Sequence, residues 1–246
     1  MKVAYQTDIG HQRQENQDRV GAVINNDGNQ LLIIADGIGG NHNGDLAAEL
    51  TVSSLIHQFK NKPPKTELEA IRWFAREVQI VNDQIIKRSQ SNPQLRDMGT
   101  TMVAAIIIAD TVIIANIGDS RGYILHDQLL TQVTIDHSLV NELVKTGDIS
   151  ADEALKLPQS NIITRAIGIS PEAQVEVNRF QLKKNDQLLL CSDGLFKTVS
   201  QGKLIKVLES SASLKTKCGQ LIKFANAAGG PDNITVLIGK MNDQEG

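Results

Sequence analysis

Aromatic residues make up only 3% of the 246-residue chain. A core built from it must be aliphatic, and few rings are available as stacking platforms for nucleic-acid bases. Cysteine is almost missing, with Cys191 and Cys218 the only two. They give no disulfide framework and no zinc-type spacing, which suits a reducing, cytoplasmic setting. The formal net charge is −3, and no basic cluster of the kind required by nucleic acid or an anionic membrane is present. No apolar run reaches transmembrane length. The start, Met1-Lys2-Val3-Ala4-Tyr5-Gln6, turns polar at once, unlike a signal peptide. These gaps argue against nucleic-acid binding, membrane insertion and a disulfide scaffold.

What is present is ordinary for a globular protein: 41% apolar and 22% charged residues, enough for a sizeable core. Strands are expected at 3–7 and 19–24, separated by a polar loop from Asp8 to Asp18. Asn25-Asn26-Asp27-Gly28 signals a hairpin into Leu31-Leu32-Ile33-Ile34-Ala35, a buried strand that should stop at Asp36-Gly37. A helix is expected at 44–60, with Ala48, Val52, Leu55, Ile56 and Phe59 on its buried stripe. A second is expected at 66–89, with Leu68, Ile71, Phe74, Val78, Val81 and Ile85 on one face and Thr66 and Glu69 as a capping box. Hairpins follow at 100–116, turning at Asp110, and at 120–134, turning at His126-Asp127-Gln128. Residues 137–170 change texture, with short helices at 137–145 and 150–157, and read as a flap. Strands at 175–182 and 187–191, helices at 201–209 and 214–227, and a strand at 234–239 complete the order. The order predicts an α+β fold of two stacked antiparallel β-sheets flanked by helix pairs, an α/β/β/α sandwich, in one domain over 1–246.

Apolar strands run into aspartates at Asp36, Asp119 and Asp193, and Asp232 precedes another from its far side. One such aspartate is ordinarily a turn residue or a helix cap. Four of the same form point further, because clustered carboxylates repel unless a cation or a shared proton offsets their charge. Hard divalent ions such as Mg²⁺ or Mn²⁺ take such oxygen donors. Carboxylate-bridged metal pairs activate water for phosphate-ester cleavage. Other phosphate chemistries fail on spacing. Gly39 to Gly44 has the glycine spacing of a P-loop, but Asp45 stands where lysine belongs. Cys191 lacks the arginine six residues on that a cysteine phosphatase needs; Lys197 is there.

The motifs together resemble those of the type 2C metal-dependent serine/threonine protein phosphatases in their compact bacterial form. The resemblance spans nearly the whole chain and keeps motif order. It runs through Arg13-Gln14-Glu15-Asn16-Gln17-Asp18, Ala35-Asp36-Gly37-Ile38-Gly39-Gly40 and Gly99-Thr100-Thr101. It continues in Asn116-Ile117-Gly118-Asp119-Ser120-Arg121, Asp136-His137-Ser138 and Ile163-Thr164-Arg165. It ends in Cys191-Ser192-Asp193-Gly194 and Gly230-Pro231-Asp232-Asn233.

The resemblance implies that Asp36 bridges two metal ions and that the Gly37 carbonyl binds one of them. Asp193 and Asp232 would hold the other, and Asp119 with Asp193 a third. That makes two to three Mn²⁺ or Mg²⁺ ions, with Asp36, Asp193 and Asp232 as the catalytic core. Asp18 would act through a metal-bound water, Asn233 would support Asp232, and Arg13 would bind the substrate phosphate. A metal-activated water would attack phosphorus in line. The implied enzyme hydrolyses phosphoserine and phosphothreonine in protein substrates, opposing a bacterial serine/threonine kinase, as a cytoplasmic monomer. The alternatives are a catalytically silent binding module of the same fold and a phosphatase of other phosphoesters.

Three positions depart from the family pattern. Asn41 stands directly after the two glycines, where histidine is usual, and His42 follows as the displaced candidate general acid. Asp45 replaces a glutamate and Ile38 a methionine. Arg121 is expected to pair with an acidic neighbour, Arg165 and His137 to brace the flap, and Trp73 and Phe74 to pack.

Overall fold

The computed structural model describes residues 1–39, 43–150, 153 and 162–241. Two sheets, antiparallel in every recorded strand pair, stack face to face, as the strand order predicts. The first has five strands: β1 (Lys2–Asp8), β11 (Ile234–Lys240), β10 (Gln187–Cys191), β7 (Arg121–His126) and β8 (Leu129–Gln132), in that order. The second has six strands. Its path is β2 (Asp18–Ile24), β3 (Gln30–Ile38), β5 (Met102–Ile108), β6 (Thr111–Ile117) and β9 (Glu176–Gln181), with β4 (Gly99–Thr100) beside β3.

Strand alternation sorts the apolar residues into three layers. On β3, Leu31, Ile33 and Ala35 face helices α1 (Gly44–Asn61) and α2 (Glu67–Ser91). Leu32 and Ile34 face the opposite sheet, where they meet Leu188 and Leu190 of β10 and Leu237 of β11. The other side of the first sheet, through Leu189, Cys191, Val236 and Ile238, packs on α5 (Gln201–Glu209) and α6 (Leu214–Ala227). Cys191 is thus a small core residue, and burial pushes its thiol up. The alternation also sets the site. Asp36 shares its parity with Leu32 and Ile34, and Asp18 with Val20 and Ala22, so both carboxylates belong to the face between the sheets.

Local signals explain most boundaries. Thr66 caps α2 by accepting from the Glu69 N–H at 3.2 Å, while Glu69 accepts from the Lys65 N–H at 2.9 Å. Trp73 and Phe74 pack as expected, their rings edge to face at 5.5 Å. Leu68 departs from the expected stripe and is exposed. Helix α3 (Leu139–Thr146) starts on a Ser138 cap and ends at Gly147 in the left-handed conformation, with φ 82°. The second flap helix expected at 150–157 falls largely outside the described residues.

Two boundaries beside Asp36 differ from the sequence reading. Strand β3 does not stop at Asp36 but runs to Ile38, where Gly37 and Ile38 pair with Thr100 and Gly99. The strand expected at 100–109 is divided at Thr101, whose N–H turns to the Asp36 carbonyl at 2.9 Å. Both changes have one cause. The backbone around Asp36 takes its partners from the Gly99-Thr100-Thr101 segment rather than from solvent.

Phe74 is fully buried between α2 and the second sheet. Phe74→Ala is expected to destabilise the protein by about 3–5 kcal/mol, seen as a lower urea midpoint with an unchanged slope.

Candidate active site

One end of the sandwich opens into a cleft of about 730 Å³. Arg13, Asp36, Asp119, Asp193, Lys197 and Asp232 line it. The four strand-end aspartates, which lie far apart in sequence, therefore meet there.

Asp36 is the most firmly held. Its N–H donates to Thr101 Oγ1 at 3.2 Å, and its carbonyl accepts from Thr101 N–H at 2.9 Å and Thr100 Oγ1 at 2.8 Å. Thr101 Oγ1 also lies 2.8 Å from Ser120 Oγ, which ties this strand to the turn bearing Asp119. Behind Asp36, Gly37 passes so close to Gly44 that a Cβ would stand 2.3 Å from the Gly44 carbonyl. Asp45 then lies in the first turn of α1, where the helix N-terminus favours negative charge.

Asp18 sits directly opposite Asp36 in the β2–β3 register. It is 2% exposed and does not line the cleft. Its Oδ2 accepts from Ser192 Oγ at 2.7 Å and Thr235 Oγ1 at 2.6 Å, while Oδ1 is buried with no partner. Burial pushes Asp18 up to about 6 against those two hydrogen bonds. Burial, then the charges of Asp18, Asp193, Asp119 and Asp232, raise Asp36 well above the ordinary range. Burial and Asp193 raise Asp119 to about 6.

Asp193 opens a short helix, α4 (Asp193–Phe196). Gly194 lets this turn rest on the next one: a Cβ there would come within 2.1 Å of the Asn233 carbonyl. Asn233 N–H donates to Asp232 Oδ1 at 2.9 Å. It also does something the sequence did not suggest. Its amide donates to the carbonyls of Ile9 at 2.8 Å and Glu15 at 2.9 Å and accepts from Gln17 N–H at 2.8 Å. One side chain therefore fixes the loop that presents Arg13.

Two side-chain cations stand among the carboxylates. Arg13 Nη2 is 2.7 Å from Asp232 Oδ2. Lys197 Nζ is 2.6 Å from Asp193 Oδ2 and 3.5 Å from Asp119 Oδ2. Burial disfavours the Lys197 charge, but Asp193 and Asp119 outweigh that and keep its pKa above the usual lysine value. Among the described residues no three acidic, histidine or cysteine side chains gather into a preformed metal cage. Lys197 entered the sequence reading only as a missing arginine. Its place four residues after Asp193, on one turn of helix, was the available signal.

Arg121 finds the acidic neighbour expected of it. Arg121 binds Asp136 through Nε at 2.9 and 3.0 Å and Nη2 at 2.6 Å, and its guanidinium lies 3.7 Å over the Phe196 ring. His137 accepts from Gly118 N–H at 3.1 Å and faces Glu176 at 3.5 Å. Burial and the nearby Arg165 charge lower the His137 pKa. His42 lies outside the described residues.

The sequence profile described as Protein phosphatase 2C matches residues 7–233. A Listeria welshimeri protein named serine/threonine phosphatase stp is 42% identical over 98% of this chain and 96% of its own length. The chain belongs to the protein phosphatase 2C family. The Streptococcus agalactiae serine/threonine phosphatase structure superposes with a TM-score of 0.92 at 37% identity, covering 96% of this chain and 98% of that one. The catalytic domain of the serine/threonine protein phosphatase PstP, solved with two manganese ions, matches with a TM-score of 0.86 at 32% identity over 98% of both chains. The α+β sandwich is thus the family's fold.

The raised carboxylates predict how the metal-free protein responds to pH. Asp18 and Asp119 favour their protonated forms in the fold. Their stabilising contribution is full below the ordinary value of 3.8 and is lost as pH rises through about 6. In EDTA the thermal midpoint is expected to fall from about pH 4 to about pH 7, and less steeply in Asp18→Asn. Equal slopes for the two proteins would contradict this electrostatic account.

Proposed function

We propose that the chain is a divalent-cation-dependent protein phosphatase that hydrolyses phosphoserine and phosphothreonine. The observation that carries this is the meeting of Asp36, Asp119, Asp193 and Asp232 in one cleft with Arg13 at its rim. The donor set fits hard divalent cations. It is all oxygen, and Asp119 Oδ1 and Asp18 Oδ1 are buried with no hydrogen-bond partner. Like charge and burial make the ionised cluster costly without added positive charge. Asp36, the Gly37 carbonyl, Asp193 and Asp232 would hold two Mn²⁺ or Mg²⁺ ions, and Asp119 with Asp193 a third. When bound, the ions supply positive charge for the phosphoryl oxygens and a nucleophilic water at neutral pH.

The chain's own residues do the rest. Arg13 is half-exposed on a loop anchored by Asn233, so its guanidinium can turn from Asp232 to a phosphate dianion without the loop moving. Its planar fork matches two phosphate oxygens. Asp18, held by Ser192 and Thr235, places a carboxylate behind Asp36 and acts through water. Both sheets contribute to the cleft, which supports reading 1–246 as one catalytic domain. The open cleft suits a side chain on a protein substrate, and a bacterial serine/threonine kinase would supply such substrates. We read the enzyme as a cytoplasmic monomer; no helix among the described residues is long and apolar enough to cross a membrane.

Phosphate release from a phosphothreonine peptide is expected with Mn²⁺, to vanish in EDTA, and to fall by at least about a hundredfold in Asp36→Asn. Arg13→Ala is expected to raise KM about tenfold with a smaller change in kcat. No metal-dependent release from any phosphoester would sink the proposal. Release from small esters alone would remove phosphoproteins as the substrate.

A further inference from the structure

Lys197 holds a position that the proposed chemistry does not use. It follows α4, one helical turn after Asp193, and its ammonium reaches two carboxylates at once, Asp193 Oδ2 at 2.6 Å and Asp119 Oδ2 at 3.5 Å. Asp119 is 4% exposed, and its second oxygen, Oδ1, is buried without a partner. The Lys197 side chain is one-third exposed and lines the cleft, so the ammonium can leave toward solvent. Phe196 limits the alternatives on one side, with its ring centroid 6.0 Å from Nζ.

We infer that Lys197 is a built-in competitor for the divalent cation at the Asp119–Asp193 pair. The inference rests on the metal-site reading above. An ammonium and a divalent ion on the same two carboxylates repel each other, so an ion can load there only by displacing Lys197. Among the described residues no lysine or arginine pairs with Asp36; the nearest competitor on that side, Arg13, holds Asp232 from an exposed position. Cation loading is therefore graded. The Asp36 side fills first, and the Asp119–Asp193 pair fills only at higher cation concentration. At low concentration the lysine supplies one positive charge to the outer carboxylates, in place of an ion.

The test is a calorimetric Mn²⁺ titration of the whole protein, wild type against Lys197→Gln, Lys197→Arg and the double variant Lys197→Gln/Asp119→Asn. Lys197→Gln is expected to tighten the weakest Mn²⁺ step by about fivefold or more and to change the tightest step, which shares Asp193, by less. Lys197→Arg keeps the charge and should stay near wild type, and the double variant should lose the gain. As a second readout, Lys197→Gln should melt lower than wild type in EDTA and gain more in thermal midpoint on adding Mn²⁺. Identical isotherms for wild type and Lys197→Gln would overturn the inference while leaving the metal site intact. No Mn²⁺ uptake by any of the proteins would overturn the metal-site reading and this inference with it.

Discussion

Two carboxylates set directly opposite one another between the sheets govern this structure. Asp18 and Asp36 are register partners on adjacent antiparallel strands, on the face that a core would ordinarily fill with aliphatic side chains. Like charges in that relation are unfavourable, and burial multiplies the effect. Much of the surrounding detail offsets it. Ser192 and Thr235 come from the other sheet to hydrogen-bond Asp18. Thr100 and Thr101 take up the backbone of Asp36. The hydroxyl residues of the family's motifs thus do structural work that holds the acids in place. Ser192, Thr235 and Thr100 are fully buried, and the same bonds satisfy their own hydroxyl donors.

The sandwich was legible because its evidence is periodic. Alternating apolar residues on β3, β10 and β11 must serve two layers, and the helical stripes supply the outer ones. The four aspartates were legible because each borders an apolar run, three at its end and Asp232 ahead of its start. What stayed hidden was whatever depends on contacts between distant segments. Strand β3 runs past Asp36 because β4 receives it, and nothing near Gly37 in sequence reveals that partner. Asn233 reads as a neighbour of Asp232, yet three of its hydrogen bonds reach back to residues 9–17. Lys197 was overlooked because a four-residue helix has no periodicity to detect.

The electrostatics of the cleft follow from the same arrangement. Arg13 and Lys197 lie at different edges and hold different acids, Asp232 in one case and the Asp119–Asp193 pair in the other. Asp36, between them, accepts no ion pair among the described residues. Burial first, then the neighbouring carboxylates, disfavour its ionised form. A cation entering the cleft therefore meets an unpaired carboxylate at Asp36 and a resident charge at either side.

The position of β11 has a consequence for synthesis. This strand, Ile234–Lys240, lies between β1 and β10 rather than at a sheet edge. It carries Thr235, and the turn before it carries Asp232 and Asn233. Until the ribosome has released residue 240, the first sheet lacks an inner strand, β1 has no neighbour in it, and the Arg13 loop has no anchor. β11 joins β1 to β10, so the first sheet and the cleft are complete only once residues 232–240 are in place. A chain without this segment keeps Asp18, Asp36, Asp119 and Asp193 but lacks Asp232, the Thr235 hydroxyl on Asp18 and the Asn233 bonds that fix the Arg13 loop.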